Sequence, residues 1–121
     1  MSRVLVAVVL VVGLAGCAGE DRPACGEVPA EVVASIAGGD SPSIETTGRA
    51  ATTPTDEGHL VAVEFVAGGE PATGVWWTNS LAGDGMVSAV DHLAQSFTDW
   101  PAGPLSPGDR RVSEVAECVT G

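Results

Sequence analysis

The sequence contains no lysine, and its basic side chains are 5 arginines set against 16 acidic residues. The formal net charge of the 121-residue chain is therefore −11 at pH 7. A polypeptide this acidic repels the phosphates of nucleic acids and the headgroups of anionic lipids. The composition argues against nucleic-acid binding and against a basic membrane-binding patch.

The motifs of common enzyme and metal sites are also missing. The chain has no HExxH or CxxC pattern, no GxSxG nucleophile elbow, no phosphate-binding GxxxxGK loop and no GxGxxG after a strand. The sequence therefore predicts no catalytic residue, no cofactor and no metal ligand. It favours a protein that is not an enzyme.

The apolar stretch near the N-terminus is too short to span a membrane comfortably. It begins after Arg3, covers residues 4–13 and leads into Leu-Ala-Gly-Cys at residues 14–17. A spanning helix needs about 20 apolar residues, whereas charged residues and Pro23 follow from Glu20 onwards. A basic start, a short apolar core and small residues before a cut are typical of an export signal.

Residues 14–17 resemble the lipobox of bacterial lipoproteins. The resemblance implies that residues 1–16 are a signal peptide and that Cys17 becomes the first residue, acylated on its thiol. Two acyl chains hold a protein firmly, since one chain gives only reversible binding. We predict lipid attachment at Cys17 on the extracytoplasmic face of the cell membrane. The alternative is an ordinary secretory signal, with Ala18 or a neighbour as the mature end.

The exported part is long enough for one small domain. Residues 17–24 are small or charged and contain Pro23, which predicts a short tether. Residues 25–121 then form a single extracytoplasmic domain, because they are too few for two separate cores.

Because the sequence has 3 cysteines, one thiol would remain unpaired after a disulfide forms unless one cysteine is modified. Lipidation of Cys17 leaves Cys25 and Cys118 as an even pair in an oxidising compartment. We predict that they form a disulfide, which closes a long loop and contributes roughly 4–5 kcal/mol in the chain-entropy model. The alternative is two unpaired buried thiols.

Apolar spacing predicts three helices. The first covers residues 29–37 and ends at Gly38, the second follows the N-cap candidate Asp91, and the third covers residues 109–118. The second helix has apolar residues at i, i+4 and i+7, a stripe that should cover the sheet: Leu93, Phe97 and Trp100.

Strand patterns lie between the first two helices. Residues 43–53 predict an edge strand, residues 59–66 and 75–81 predict an antiparallel hairpin joined by a flexible connection, and residues 86–90 predict a further strand. We predict an α+β fold with a small antiparallel sheet of three or four strands. Its helices should pack mainly on one face, and a disulfide should join its termini.

Three stretches within residues 60–101 resemble small uncharacterised lipoproteins and secreted proteins of high-GC Gram-positive bacteria. They are Val-Glu-Phe, Gly-Val-Trp-Trp-Thr-Asn-Ser and Ala-Val-Asp-His-Leu-Ala-Gln-Ser-Phe-Thr-Asp-Trp-Pro. The resemblance covers under half of the mature chain. It implies an envelope location and a compact domain, and it brings no catalytic residue.

Adjacent tryptophans in a strand point to opposite faces. Trp77 shares its face with more apolar neighbours, which predicts that Trp77 is in the core and that Trp76 is at least partly exposed. Trp76, Thr78 and Ser80 then form a candidate binding surface for a sugar ring or a partner protein. The alternative is that Trp76 packs under the first helix or the threonine-rich segment.

Isolated polar residues give weaker signals. His92 lies near Ser88 and Ser96 in the sequence, but a surface imidazole in a first helical turn is favoured over a catalytic base, and the same holds for His59 at the entrance of a strand. Glu64 interrupts an apolar strand, so it either faces solvent or is paired in a pocket, and the alternation favours solvent.

Four carboxylates are candidates for a calcium site: Glu64, Asp84, Asp91 and Asp99. Their spacing lacks the defined loop that supplies calcium with six or more oxygens. The sequence therefore predicts no calcium site.

Three functions fit these observations. The first is a lipid-anchored binding or accessory module whose partner is an envelope protein or a glycan. The second is a small envelope hydrolase, and the third is a structural or regulatory domain that associates through an exposed strand edge. A concave pocket beside Trp76 would favour the first, convergent serine, histidine and aspartate the second, and a flat apolar patch the third.

Overall fold

The structure, a computed structural model, describes residues 25–38 and 44–120. The predicted signal peptide at residues 1–16, Cys17 and the tether at residues 17–24 lie outside the described residues. None of the helices in the described ranges has the length and apolarity that crossing a membrane requires.

The described residues form three helices and four strands. In chain order these are α1 (Ala30–Ala37), β1 (Glu45–Pro54), β2 (His59–Ala67), β3 (Glu70–Thr78), β4 (Val87–Ala89), α2 (His92–Phe97) and α3 (Arg110–Thr120). The strands lie side by side in chain order, and each pairs antiparallel with the next. The predicted α+β fold is confirmed, with four strands in the sheet.

Local signals position the first two helices where the sequence predicts them. Pro29 precedes α1, and the N–H of Gly38 donates to the carbonyl of Ala34 at its end. A carboxylate oxygen of Asp91 accepts from the backbone N–H of Ala94 at 2.9 Å, so Asp91 is the N-cap of α2.

Helices cover both faces of the sheet. The face under α1 and α2 has a core of Val32, Ile36, Val61, Val63, Phe65, Trp76, Val87, Ala89 and Ala94. The opposite face, under α3, has a core of Ala51, Leu60, Ala62, Val75, Trp77, Val90, Val112, Val115 and Val119. Two of the three helices share one face, as predicted. Because α3 covers the other, the central strands are apolar on both sides.

The β2–β3 connection is tighter than predicted. Gly68 and Gly69 form a two-residue turn with φ values of 62° and 85°, and Ala67 pairs directly with Glu70. Two successive positive φ angles are typical of the turns that join twisted antiparallel strands. The predicted flexible connection is wrong, because residues 70–74 belong to β3 and pair with β2.

A bulge in β1 gives Glu64 its partners. Residues 47–49 stand opposite Glu64 alone, and the Thr47 hydroxyl donates to Glu64 Oε1 at 2.7 Å. Arg49 Nη1 lies 3.9 Å from Glu64 Oε2, while Arg49 Nη2 donates to the carbonyl of Val119 in α3. The Glu64 side chain is only 14% exposed. The expectation that it faces solvent is wrong, because Thr47 and Arg49 in the bulge pair with its carboxylate.

The predicted disulfide between Cys25 and Cys118 is confirmed, with the two Cα atoms 6.5 Å apart. It ties the start of the described chain to α3. The adjacent Gly26 exchanges two backbone hydrogen bonds with Thr52 of β1, with N–O distances of 2.7 and 3.0 Å. The N-terminal segment is therefore held by both a covalent bond and the edge of the sheet.

Candidate functional site

Trp76 lies in the core between the sheet and the helices α1 and α2, and none of its surface is exposed. Its Nε1–H donates to Thr98 Oγ1 at 3.1 Å, and its ring meets Phe65 edge-on at a centroid distance of 6.1 Å. A Cβ at Gly74 would lie 2.8 Å from the indole, so the glycine leaves room for the ring. The prediction that Trp76 is exposed is wrong.

The surface predicted from Trp76, Thr78 and Ser80 therefore presents no ring to a ligand. Thr78 is buried as well, and its hydroxyl donates to the carbonyl of Ser80 at 3.1 Å. The physical reason is that both sheet faces are covered, so neither tryptophan points to open solvent. The alternative, packing of Trp76 under the first helix, is what the structure shows.

A polar cleft of about 280 Å³ opens beside Trp77, on the α3 side of the sheet. It is formed by the turn between β1 and β2, the loop before α3 and the first residues of α3. Its lining residues are Thr55, Asp56, Glu57, Trp77, Pro104, Leu105, Ser106, Asp109 and Arg111. We call this site the Trp77 cleft.

Gly58 brings the β1–β2 turn into contact with Trp77. A Cβ at this glycine would lie 2.7 Å from Cζ2 and 2.9 Å from Cε2 of the indole, closer than any side chain can approach. The part of the ring that meets this turn therefore includes Cε2, the carbon bonded to Nε1. Trp77 is 9% exposed, so the indole is more than nine-tenths buried.

The indole N–H of Trp77 donates to no acceptor within residues 25–38 and 44–120. The other two tryptophans differ: Trp76 donates to Thr98 at 3.1 Å, and Trp100 donates to the Ile36 carbonyl at 3.0 Å. Buried polar groups are nearly always hydrogen-bonded, and leaving one unpaired costs about 1–3 kcal/mol. The Trp77 cleft is therefore lined by a residue whose buried donor has no acceptor among the described residues.

Charge in the cleft is dominated by carboxylates. Arg111 Nε and Nη2 each donate to one carboxylate oxygen of Asp109 at 3.1 Å, and the Arg111 backbone N–H donates to Asp109 Oδ1 at 2.9 Å. These hydrogen bonds hold the pKa of the Asp109 carboxyl below its ordinary value of 3.8. The paired Asp109 carboxylate raises the pKa of Arg111, and Asp56 adds to the effect.

A catalytic constellation of serine, histidine and aspartate is not found in the described part of the chain. His59 pairs through its backbone with Pro54 and Thr78 in the sheet, and His92 is exposed at the start of α2. No hydrogen bond joins either imidazole to another described residue. In the same ranges, no three His, Cys, Asp or Glu side chains are grouped to hold a metal ion.

A larger cleft of about 500 Å³ lies between α1 and the bulged part of β1. Its lining is mainly small or apolar: Glu27, Val28, Ala30, Val33, Ala34, Thr46, Gly48 and Ala50. Ligand sites gain specificity from a few fixed polar groups. Although this cleft is larger, fixed polar groups converge in the Trp77 cleft, which is therefore the stronger candidate for a ligand site.

The apolar stripe predicted for α2 covers the sheet only in part. Ala94 is the buried residue of the helix, while Leu93 is 38% exposed and Phe97 is 42% exposed. Phe97 still contacts Phe65 at a centroid distance of 5.2 Å, and Trp100 packs against the core beyond the helix. The helical part of the stripe is shorter than predicted because α2 ends at Phe97, before Trp100.

Both outer strands are partly covered along their free edges. Gly26 pairs with Thr52 on β1, and Ala102 forms a bridge with Ala89 on β4. Covered edges and bulges reduce the backbone available for pairing with another chain. This arrangement weakens the third function considered above, association through an exposed strand edge.

Comparison with protein families finds no family that matches the chain, and no curated protein and no solved structure matches it significantly.

Sequence reasoning did not identify the Trp77 cleft. Its acidic residues come from two turns far apart in the chain, at residues 55–57 and 104–109. Taken alone, each turn has the composition of an ordinary solvated loop, rich in proline, glycine and aspartate. The one local signal is Gly58, whose lack of a side chain lets a turn approach an indole.

Proposed function

We propose that this chain is a lipid-anchored binding module on the extracytoplasmic face of the cell membrane, with its ligand site in the Trp77 cleft. The observation that carries the binding role is the buried indole N–H of Trp77, which has no acceptor among the described residues and lies at a polar cleft. The anchoring role rests on the lipobox-like residues 14–17. The Cys25–Cys118 disulfide is consistent with an oxidising compartment.

The binding role is favoured over hydrolysis by the placement of polar groups. His59 and His92 are not brought to the cleft, so the cleft lacks an imidazole base. Its groups are hydrogen-bond donors and acceptors suited to hold a molecule in place: an indole N–H, hydroxyls, carboxylates and a guanidinium.

The anchoring role is tested by the intact mass of the protein recovered from membranes, beside a Cys17→Ala variant. We expect a mature chain that begins at Cys17 and carries acyl chains, and that gains two hydrogens when the disulfide is reduced. The variant should lose the acyl mass and leave the membrane fraction. Recovery of an unacylated wild-type chain in the medium would contradict the anchor.

The binding role is tested by screening envelope-derived small molecules for ligand-induced shifts in thermal stability of the full mature protein. We expect at least one ligand to stabilise the wild type and to lose its effect in Trp77→Phe. Trp100→Phe is the matched control, because it also removes an indole N–H but lies outside the cleft. Equal ligand shifts in all three proteins would contradict a site at Trp77.

A further inference from the structure

We propose that the Trp77 cleft binds a small hydroxylated amine, such as an amino sugar, through its ammonium group and its oxygen acceptors. This inference rests on the proposed function, because it names the ligand class of the same site. It follows from three properties of the cleft: a buried donor, an excess of carboxylates and a small volume.

The buried donor requires an acceptor on the ligand. The Trp77 N–H has no partner among the described residues, and the indole is more than nine-tenths buried. An N–H repels a cation at close range and is satisfied by an oxygen lone pair. A bare metal ion or a simple alkylammonium therefore leaves this donor unsatisfied, whereas a ligand hydroxyl or ring oxygen satisfies it.

The carboxylates require positive charge on the ligand. The Asp109 carboxylate already accepts a bidentate pair of hydrogen bonds from the Arg111 guanidinium. Asp56 and Glu57, by contrast, form no hydrogen bond or salt bridge with any described residue. The cleft thus has three carboxylates and a single guanidinium, and the chain contains no lysine. Electrostatic complementarity then favours a cationic ligand, which the acidic surface also attracts from a distance.

The volume limits the ligand to a small molecule. The cleft measures about 280 Å³, near the lower end of the roughly 300–1,000 Å³ typical of ligand cavities. A monosaccharide-sized molecule fits this space. The hydroxyls of Thr55 and Ser106, which can donate as well as accept, suit a ligand that carries several hydroxyl groups.

Calorimetric titration of the full mature protein with three related sugars tests the proposal. Glucosamine carries the amine, glucose replaces it with a hydroxyl, and N-acetylglucosamine neutralises it as an amide. At low ionic strength and pH 6, we expect glucosamine to bind at least about tenfold more tightly than either neutral sugar, and added salt to weaken its binding.

Substitutions locate the binding. Asp56→Asn and Trp77→Phe should each weaken glucosamine binding by roughly fivefold, the effect of one lost hydrogen bond. Asp56 is exposed in a turn, so Asp56→Asn remains informative if Trp77→Phe impairs folding. Glu70→Gln is the matched control: it removes the same charge at the other end of β3 and should leave binding unchanged.

Three outcomes would overturn the proposal. Equal affinity for glucose and glucosamine would show that the cleft does not recognise the amine. Glucosamine binding that is insensitive to Asp56→Asn and Trp77→Phe would place the site elsewhere. If none of the three sugars binds while the stability screen yields another ligand sensitive to Trp77→Phe, the ligand class is wrong but the proposed binding function stands.

Discussion

The three tryptophans show how single residues with the same chemistry take different roles in one small domain. Trp76 and Trp100 have their indole N–H groups satisfied by Thr98 and by the Ile36 carbonyl, so both act as structural anchors. Trp77 is less buried than Trp76 and more buried than Trp100, yet its indole N–H has no described acceptor. A buried donor without a partner reduces stability, and such a cost is often accepted at functional sites.

Thr98 provides a prediction at this scale. Its buried hydroxyl accepts from Trp76 Nε1 at 3.1 Å and donates to the Ala94 carbonyl at 2.7 Å. Thr98→Val leaves a buried indole N–H unpaired, and we expect the free energy of unfolding to fall by about 1–3 kcal/mol. Urea unfolding followed by circular dichroism measures the change.

Thr120→Val is the control for Thr98→Val. The Thr120 hydroxyl also donates to the carbonyl four residues earlier, at Ala116, but it is exposed. The free energy of unfolding of Thr120→Val should therefore differ from that of the wild type by no more than about 0.5 kcal/mol, as is usual for surface substitutions. Similar losses in both variants would mean that the Trp76 hydrogen bond contributes nothing of its own.

The N-terminus of α3 is where an element of the fold and the proposed site coincide. Asp109 accepts from the backbone N–H of Arg111 and from its guanidinium, so one carboxylate both caps the helix and orders a wall of the cleft. The rest of the helix packs by the apolar residues Val112, Val115 and Val119. Its first turn is thus held by polar contacts and its body by apolar ones.

The lowered pKa of Asp109 predicts how its contribution depends on pH. A folded-state pKa below that of the unfolded chain means that the ionised carboxylate stabilises the fold at pH values above its ordinary pKa of 3.8. That contribution is lost as the pH falls through the lower folded value. We therefore expect the wild type to be more stable than Asp109→Asn at pH 7, and the difference to shrink below about pH 4.

Urea midpoints at pH 7 and at pH 3 measure this difference. Asparagine retains the ability to cap a helix, so the comparison isolates the charge. In an Arg111→Gln background, the same substitution should show little dependence on pH, since the main cause of the lowered pKa has been removed. A constant difference at both pH values in the wild-type background would contradict the assignment.

For the whole molecule, closure of the chain and coverage of both sheet faces are the main determinants of stability. The disulfide spans 93 residues and connects the N-terminal segment to α3. The helix α3 in turn covers β1, β2 and β3 on one face. Loss of the disulfide would therefore loosen both the Gly26–Thr52 pairing and the packing of the last helix.

We expect the Cys25→Ser/Cys118→Ser variant to lose about 2–5 kcal/mol of unfolding free energy, since the unfolded chain regains the entropy of an open loop of this length. Urea unfolding of the oxidised wild type and of the double variant measures the loss. Each single serine variant should lose about as much as the double variant, because either substitution removes the same bond. Additive losses from the two single variants would instead indicate independent packing effects.

Several features were determined by the sequence alone, because they depend on short-range chemistry. The start of α1 just after Pro29, the cap at Asp91 and the apolar strand β2 all follow from local propensity and periodicity. The pairing of Cys25 with Cys118 followed from counting cysteines in a chain that the sequence predicts to be exported. These features together were sufficient to predict an α+β fold with an antiparallel sheet.

Only the tertiary structure decided which side chains are buried and which meet. An alternating strand predicts that neighbours lie on opposite faces, but not which faces are covered, and so it could not predict that both Trp76 and Trp77 are buried. The enclosure of Glu64 likewise depends on a bulge in another strand. The Trp77 cleft joins turns distant in the chain. These outcomes depend on which segments fold back over each other, a non-local property that no short pattern of residues encodes.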